Sequence, residues 1–260
     1  MLPKFLKPLY VKRSNLIRVG PKKDGGYIID KRILGKSKNL ISFGLNDDWN
    51  FEKDFLRKNG DTSIIAYDHT VTNKFWIKRF KKDFLALLLF KKLKLDKILD
   101  VFKYIDYKFF FRENKIHFQK KIVSKIKNNK EITISKILNN YEKNVILKID
   151  IEGDEYKIFK DIKKNSKKIL FLILELHDVD KNITKIKNFL RKLDLKIIHI
   201  HGNNYGGVDQ KGNPKVIELS LLNSRNIKIL NIYSKSKYPI INLDYKNLKR
   251  RNDIQIKFIK

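Results

Sequence analysis

Residues 144–155 read Asn144-Val-Ile-Leu-Lys-Ile-Asp150-Ile-Glu-Gly-Asp-Glu155. The apolar run at the start of this stretch is typical of a central strand in a parallel sheet. Lys148, Asp150 and Glu152 alternate with apolar residues, so we expect them to project to one side of an extended segment. Charges on a buried strand are costly without partners, which indicates a ligand site at the end of this strand. A salt-bridged strand end followed by a capped helix is the alternative.

Strand-like and helix-like segments alternate on both sides of this stretch. The pattern predicts an α/β fold with a doubly wound, mostly parallel seven-stranded sheet of the Rossmann-like kind. We expect one domain spanning 1–260, with an N-terminal segment at 1–38, a helical insertion at 74–112 and a C-terminal extension at 225–260. The other predicted strands are 39–44, 63–68, 115–123, 168–176, 195–200 and 215–222, and the predicted helices are 50–58, 132–140 and 182–193, with another from about 154.

The composition excludes several classes of protein. The chain has 260 residues, of which 42% are hydrophobic, and this is enough for one substantial core. It contains no cysteine, so disulfides, thiolate metal sites and cysteine nucleophiles are excluded. No apolar run has the length of a membrane span or a secretory signal, and we expect a cytoplasmic protein.

The formal net charge of +31 has two interpretations. It can indicate binding to nucleic acid or to an anionic membrane surface. It can also reflect a general bias towards lysine, because the lysines are spread along the whole chain and far outnumber the arginines. We favour the second interpretation, since proteins that read bases tend to use arginine.

Ligands of doubly wound sheets bind outside the carboxyl ends of the strands, so we expect the residues at these strand ends to lie around one site. The first predicted strand ends at Gly44, whose lack of a side chain would let the backbone approach a ligand. The second ends at Asp68, where an acid can accept hydrogen bonds from the ribose hydroxyls of an adenosine cofactor. This pairing does not separate NAD from S-adenosylmethionine, but the absence of a full Gly-x-Gly-x-x-Gly motif weakens the NAD interpretation. A capped strand-to-helix turn is the alternative.

Glu175 and His177 end the strand 168–176 and share a face. His177 is a candidate general base, because histidine titrates near neutral pH. With Asp150 and Glu175 it is equally a candidate ligand of a divalent cation such as Mg²⁺. A hydrogen-bonded histidine with a purely structural role is the third interpretation.

Two glycine-containing segments are further candidates. Asp24-Gly25-Gly26-Tyr27 is typical of a tight hairpin turn and can also clamp a cofactor, with Tyr27 covering one side. The stretch from His201 to Gly207 includes Asn203 and Asn204, whose amides suit a hydroxylated substrate. A flexible turn is the alternative there.

These motifs, in this order, resemble the FkbM-type methyltransferases. The matching phrases are Arg-Val-Gly-x-x-x-Asp-Gly-Gly-Tyr, Ile-Ser-Phe-Gly-x-x-x-Asp-x-x-Phe-Glu, Tyr-Asp-His-Thr-Val, Leu-Lys-Ile-Asp-Ile-Glu-Gly-x-Glu, Leu-x-Leu-Glu-x-His and His-x-His-Gly-Asn-Asn. They run from about 17 to 222. The resemblance implies a class I fold, S-adenosylmethionine as cofactor, and methyl transfer to a hydroxyl of a sugar or glycan precursor.

The resemblance also implies roles for individual residues. It implies that Gly44 and the following loop hold the methionine end of the cofactor, that Asp68 holds its ribose, and that Asp150 and Glu152 line the reaction centre. The predicted catalytic residues are His177, Asp150, Glu152 and Lys148. The predicted cofactor-binding residues are Asp24, Gly25, Gly26, Tyr27, Gly44, Asn46, Asp47, Glu52, Asp68, His69 and Asp150. The predicted substrate-binding residues are Glu175, His201, Asn203 and Asn204, and the predicted metal ligands are Asp150, Glu175 and His177.

Two further hypotheses follow from the charge. The chain could be a basic nucleic-acid-binding protein or an RNA methyltransferase, although it has no Asn-Pro-Pro-Tyr-like motif and no aromatic RNA-stacking signature. The lysine- and phenylalanine-rich insertion could instead support weak association with the anionic inner face of a membrane, which suits lipid-linked glycan precursors. The insertion could also be a cap or a dimer element, and in the latter case the protein would be a homo-oligomer.

Overall fold

The computed structural model describes residues 1–88, 102–191 and 193–259. The strands are β1 Leu16–Val19, β2 Tyr27–Asp30, β3 Asn39–Phe43, β4 Ser63–Tyr67, β5 Lys115–Phe118, β6 Lys121–Ile122, β7 Glu131–Ile132, β8 Val145–Ile149, β9 Ile169–Leu176, β10 Leu195–Gly202 and β11 Ile217–Asn223. The helices are α1 Asn50–Asn59, α2 Asn73–Leu88, α3 Lys103–Phe110, α4 Ile134–Leu138, α5 Glu155–Lys164 and α6 Val179–Leu190.

Seven strands of the described chain form one sheet in the order β10-β11-β9-β8-β3-β4-β5. Strand β11 runs antiparallel to both of its neighbours, and the other pairs are parallel. The strand predicted from residues 144–150 is β8, which lies between β3 and β9 and is buried along its whole length. The predicted mostly parallel, seven-stranded sheet is therefore confirmed.

Apolar clusters cover both faces of the sheet, because alternate side chains of each strand point to opposite faces. In β3, Ile41 and Phe43 belong to one cluster and Leu40 to the other. The first face is covered by α4, α5 and α6. The second is covered by α1, the β1–β2 hairpin and residues of α2 and α3. Because β3, β4, β8 and β9 pair in parallel, their carboxyl ends lie at one edge of the sheet.

Several predicted boundaries are corrected. The strand predicted over 115–123 is two strands, because the chain turns after Phe118 and β6 pairs with β7 outside the main sheet. The helix predicted over 132–140 is the short α4, which Thr133 caps by accepting a hydrogen bond from the N–H of Lys136. The helix predicted over 182–193 begins at Val179, whose buried side chain packs in the core.

The predicted insertion at 74–112 contains α2 and α3, and its residues 89–101 lie outside the described part of the chain. In the C-terminal extension, Tyr238 and Ile256 are buried and pack in the core beneath β10 and β11. Among the described residues, no helix combines the length and the apolar character needed to cross a bilayer.

Candidate active site

A cavity of about 510 Å³ lies at the carboxyl ends of β3, β4 and β8. Its mixed polar and apolar wall suits a small charged ligand with an apolar part. Eleven of the residues predicted from the sequence border it: Asp24, Gly25, Tyr27, Gly44, Asn46, Asp47, Asp68, His69, Lys148, Asp150 and Glu152. Further bordering residues that the sequence did not single out include Phe51, Tyr67, Lys120, Lys121 and Ile122.

Gly44 is required by the packing of the backbone, and its predicted contact with a ligand stays a prediction. Its φ is +81°, and a Cβ atom there would meet the backbone oxygen of Asp150 at 1.6 Å. The strand ends of β3 and β8 therefore approach each other so closely that only glycine fits. Gly44 shapes the floor of the cavity by packing against the backbone of Asp150.

Asp68 organises the loop that follows β3. Its Oδ2 accepts hydrogen bonds from the backbone N–H groups of Leu45 and Asn46, both at 2.9 Å. Its Oδ1 accepts from the N–H and the hydroxyl of Thr70 at 2.7 and 2.6 Å. Burial alone would raise the pKa of Asp68, but these bonds outweigh it and lower the pKa. Asp68 thus fixes the cavity wall, and its contact with a ribose stays a prediction.

Lys148 is an internal ion-pair partner. Its Nζ lies 3.4 Å from Oε1 of the fully buried Glu52 and donates to the backbone oxygen of Gly44 at 3.2 Å. Glu52 Oε1 also accepts from the hydroxyl of Ser42 at 2.7 Å. The structure therefore places Glu52 behind Lys148, away from the cavity surface. This corrects the prediction that Glu52 contacts the cofactor.

Asp150 and Glu175 form a buried pair of acids joined by Tyr27. The Tyr27 hydroxyl lies 3.3 Å from Asp150 Oδ2 and 3.1 Å from Glu175 Oε2, so the two carboxyl groups share the hydroxyl of Tyr27 as hydrogen-bond donor. Burial raises the pKa of Asp150 to about 6, although Lys148 and His177 act in the opposite direction. Burial also raises the pKa of Glu175, and the charge of Asp150 adds to this rise. A bound cation at Asp150 would relieve this excess of negative charge.

His177 is oriented by Glu155, a residue that the sequence analysis did not assign a role. Glu155 is fully buried, and its Oε1 lies 2.9 Å from His177 Nδ1 while accepting the backbone N–H of His177 at 2.7 Å. Its Oε2 accepts the N–H of Gly153 at 2.7 Å. The signal was present in the sequence, because Glu155 ends the Asp-Ile-Glu-Gly-x-Glu phrase, but an acid in the first turn of a helix normally indicates only a favourable interaction with the dipole.

The other nitrogen of His177, Nε2, faces the acids at the edge of the cavity. It lies 3.4 Å from Glu152 Oε2 and 3.9 Å from Glu175 Oε1. Burial lowers the pKa of His177, but the hydrogen bond that its Nδ1 donates to Glu155 and the nearby negative charges outweigh burial and raise the pKa. The side chain of Glu152 is 85% exposed, because the strand ends at Ile149 and Glu152 has a φ of +53°. The prediction that Lys148, Asp150 and Glu152 project to one side of an extended segment therefore holds only as far as Asp150.

Two predicted substrate-binding residues are corrected. The ring nitrogens of the buried His201 lie 3.1 Å from Glu218 Oε2 and 3.1 Å from Asp253 Oδ1, so both already have partners. The amide of Asn204 donates to backbone oxygens of residues 248–252 and accepts the N–H of Leu248. Both side chains anchor the C-terminal extension to the sheet. Asn203 lies closer to the site, since its amide donates to Glu175 Oε1 at 2.8 Å.

We expect His201→Gln to destabilise the protein by roughly 2 to 5 kcal/mol at pH 6, because it leaves Glu218 and Asp253 without their buried cation. The two acids raise the pKa of His201 to about 10 from its ordinary value of 6.5. The stabilisation is complete below pH 6.5 and is lost as the pH rises towards 10. The free energies of unfolding of the two proteins, measured in urea from pH 6 upwards, should therefore converge. A difference that does not change with pH would contradict this account of His201.

The fold and the cavity define a class of protein. A Rossmann-like sheet with a glycine turn after one strand, an acid after the next and a buried pair of acids at the centre is the arrangement of an enzyme that binds a charged adenosine cofactor. The profile of the methyltransferase FkbM domain matches residues 34–197, which is more than half of the chain. The chain belongs to the FkbM methyltransferase family and is a methyltransferase dependent on S-adenosylmethionine. The resemblance and the class I fold predicted from the sequence are thereby confirmed.

Solved structures with a related shape are distant. A fibrillarin/Nop5p complex matches with a TM-score of 0.35 and 9% identity, covering 72% of this chain and 73% of that one. A fibrillarin pre-rRNA processing protein from Methanococcus jannaschii matches at 0.35 and 8%, over 73% and 67%. TYW2 from M. jannaschii in complex with AdoMet matches at 0.31 and 12%, over 83% and 89%. At these scores they add nothing to the assignment. No curated protein sequence matched this chain.

The residues present fit S-adenosylmethionine. The cofactor carries a sulfonium and an ammonium group, and the wall of the cavity contains Asp150 with its excess of negative charge. Lys120 and Lys121, which also border the cavity, would complement its carboxylate, and the side chains of Tyr67 and Ile122 would contact its adenine. The side chains around the cavity thus suit a ligand with two positive groups, one carboxylate and one flat apolar ring system.

Proposed function

We propose that this protein transfers a methyl group from S-adenosylmethionine to a hydroxyl group of a sugar or glycan precursor. The observation that carries the proposal is His177, which is held by Glu155 at one nitrogen and presents the other beside the acids at the cavity edge. A hydroxyl is a poor nucleophile until its proton is removed, and an oriented histidine is the side chain best suited to remove it near neutral pH.

In this proposal, the chain's own residues bind the cofactor, orient the acceptor and deprotonate the acceptor hydroxyl. S-adenosylmethionine supplies the methyl group on a sulfonium centre. Asp150 would hold the positive end of the cofactor, and Tyr27, buried beside Phe51, borders the cavity on the hairpin side. His177 Nε2 accepts the hydroxyl proton, and Glu155 stabilises the resulting imidazolium. Alignment of donor and acceptor supplies much of the remaining rate.

The surroundings of the site suit a hydroxylated acceptor. Glu152 and Asp24 border the cavity, and their carboxylates can accept hydrogen bonds from sugar hydroxyls. Asn203 connects this wall to the acidic pair through its bond to Glu175. The resemblance to enzymes that methylate sugar hydroxyls supports the same choice of acceptor.

A metal-assisted reaction is the second candidate, because Asp150, Glu175 and His177 offer ligand atoms that all lie within 4.8 Å of one another. Two carboxylates and an imidazole suit a divalent cation, which would acidify the acceptor hydroxyl. Activity that survives exhaustive chelation and does not respond to added Mg²⁺ would leave His177 as the base. Loss on chelation and recovery with Mg²⁺ would make His177 a ligand.

The acceptor class is tested with S-adenosylmethionine labelled in its methyl group. The protein is incubated with free sugars, nucleotide sugars, lipid-linked sugars, carboxylic acids and RNA, and the products are hydrolysed and analysed by mass spectrometry. We expect the label in a methyl ether on a monosaccharide, which resists alkali. Label in an alkali-labile methyl ester, or in RNA, would overturn the proposed acceptor while leaving the family assignment intact.

A further inference from the structure

Helix α2 presents apolar side chains to solvent. Ile77, Phe80 and Phe84 are 59%, 49% and 43% exposed, and their spacing places them along one side of the helix. The rings of Phe80 and Phe84 stack with their centroids 5.8 Å apart. The adjacent side of the helix packs inwards through the buried Trp76, so this exposed apolar stripe is additional to the side that builds the core.

Helix α3 repeats this arrangement. Phe102, Ile105 and Phe109 are 53%, 49% and 61% exposed and again follow the spacing i, i+3 and i+7. The inward side contributes Tyr107, whose ring lies 4.9 Å from that of Trp76. Each helix thus combines an aromatic inner side with a separate stripe of exposed apolar side chains. We call the six outward apolar residues, together with the exposed lysines of α2, the α2–α3 surface.

The exposed charges that α2 contributes to this surface are all positive. The exposed charged residues of α2 are Lys74, Lys78, Lys81 and Lys82, whereas its acid, Asp83, is 5% exposed and pairs with Arg79. Such a combination of exposed phenylalanine and isoleucine with lysine is unusual for a protein surface that contacts only water.

We propose that the α2–α3 surface binds a bilayer rich in anionic lipid. Amphipathic helices of this composition lie in the plane of the interface, where apolar side chains enter the boundary between headgroups and acyl chains and lysines face the headgroups. Charge complementarity selects the anionic bilayer, because a neutral one would not attract the four lysines or the chain's net charge of +31. Aliphatic Ile77 and Ile105 suit acyl chains better than stacked bases, so the bilayer is favoured over RNA.

The surface is connected to the active site. Arg79 of α2 and Lys103 of α3 both pair with Asp47, which borders the cavity in the loop after β3. A protein held by this surface keeps that wall of the cavity close to the lipid headgroups. The acceptor would then be carried on a membrane lipid, a consequence that rests on the proposed function, whereas binding to the bilayer does not.

The test is flotation of the full-length protein with vesicles, without cofactor or acceptor. We expect co-flotation with phosphatidylglycerol mixed into phosphatidylcholine, and none with phosphatidylcholine alone. Replacing Phe80, Phe84, Ile105 and Phe109 by serine should reduce binding about tenfold or more. Changing Lys74, Lys78, Lys81 and Lys82 to glutamate should do the same. Far-UV circular dichroism checks that each variant is folded.

The matched control changes four exposed lysines on α5 and α6 to glutamate, namely Lys160, Lys164, Lys185 and Lys187. It alters the net charge equally but lies on helices that follow β8 and β9, and it should bind almost as well as the natural protein. An equal loss in the control would show a diffuse charge effect and overturn the proposal. The proposal would also be overturned if the natural protein did not bind anionic vesicles. It would equally be overturned if the same residues mediated self-association or RNA binding in place of vesicle binding. Because no methyl transfer is measured, failure of the proposed reaction would not affect this result.

Discussion

Replacing His177 with alanine lowers kcat for methyl transfer by about 10²- to 10⁴-fold, the usual contribution of a positioned general base. The affinity for S-adenosylmethionine stays nearly unchanged, because His177 lies beside the cavity wall formed by Asp150 and Glu152 rather than in it. Steady-state kinetics with a saturating acceptor measure the first quantity, and calorimetric titration with the cofactor measures the second. A variant with undiminished kcat would remove His177 from the reaction.

Glu155→Gln is the matched variant, because it keeps a hydrogen-bond acceptor for His177 Nδ1 but removes the charge. A base acts in its neutral form, so a raised pKa confines full activity to pH values above the ordinary 6.5 of histidine. Loss of the Glu155 charge lowers the pKa of His177, and the acid limb of the pH–rate profile should move to lower pH. An unchanged acid limb would show that Glu155 has only a structural role.

Replacing Lys148 with methionine should destabilise the protein by about 3 to 5 kcal/mol, because it leaves Glu52 as a buried charge without a cation. Glu52 is already poorly satisfied, since its Oε2 has no hydrogen-bond partner among the described residues. The free energy of unfolding in urea measures the loss. The double variant Lys148→Met, Glu52→Gln should recover most of it, because the amide carries no charge.

Lys53→Met is the control for this pair. Lys53 forms an ion pair with Asp106 at 2.6 Å, but the two side chains are 36% and 49% exposed, and loss of the pair should cost about 1 kcal/mol or less. Equal losses for Lys53→Met and Lys148→Met would contradict the view that burial makes the Lys148–Glu52 pair important. Failure of the double variant to recover stability would show that Lys148 acts through another contact.

The central, buried position of the strand that leads to Asp150 follows closely from the sequence. Its apolar run, interrupted only by Lys148, is typical of a central parallel strand, and strand ends of such sheets meet at one edge. The convergence of Asp150, Glu175 and His177 could therefore be predicted without knowing any contact. The edge of the sheet was harder to predict, because β5 ends at Phe118, opposite the end of β4 at Tyr67, and the local sequence pattern does not mark this end.

The partners of the polar residues were the least predictable part. His201 and Asn204 lie at a glycine-containing loop and resemble ligand-binding residues, but His201 pairs with Glu218 of β11 and with Asp253, and Asn204 binds residues 248–252 of the C-terminal extension. Glu52 was predicted to contact the cofactor, whereas burial pairs it with Lys148 across the helix–sheet interface. Residue type and spacing indicate that a polar side chain needs a partner, but tertiary packing decides which one it finds.

The central claim is that the cavity between Gly44, Asp68 and Asp150 binds S-adenosylmethionine, and the most direct test is the thermal unfolding of the protein with S-adenosylhomocysteine. A ligand at about 100 times its dissociation constant stabilises the native state by about 2.7 kcal/mol, which raises Tm by several degrees. We expect this rise with S-adenosylhomocysteine and none with NAD at the same concentration. A Tm that S-adenosylhomocysteine leaves unchanged, or that NAD raises in its place, would contradict the account.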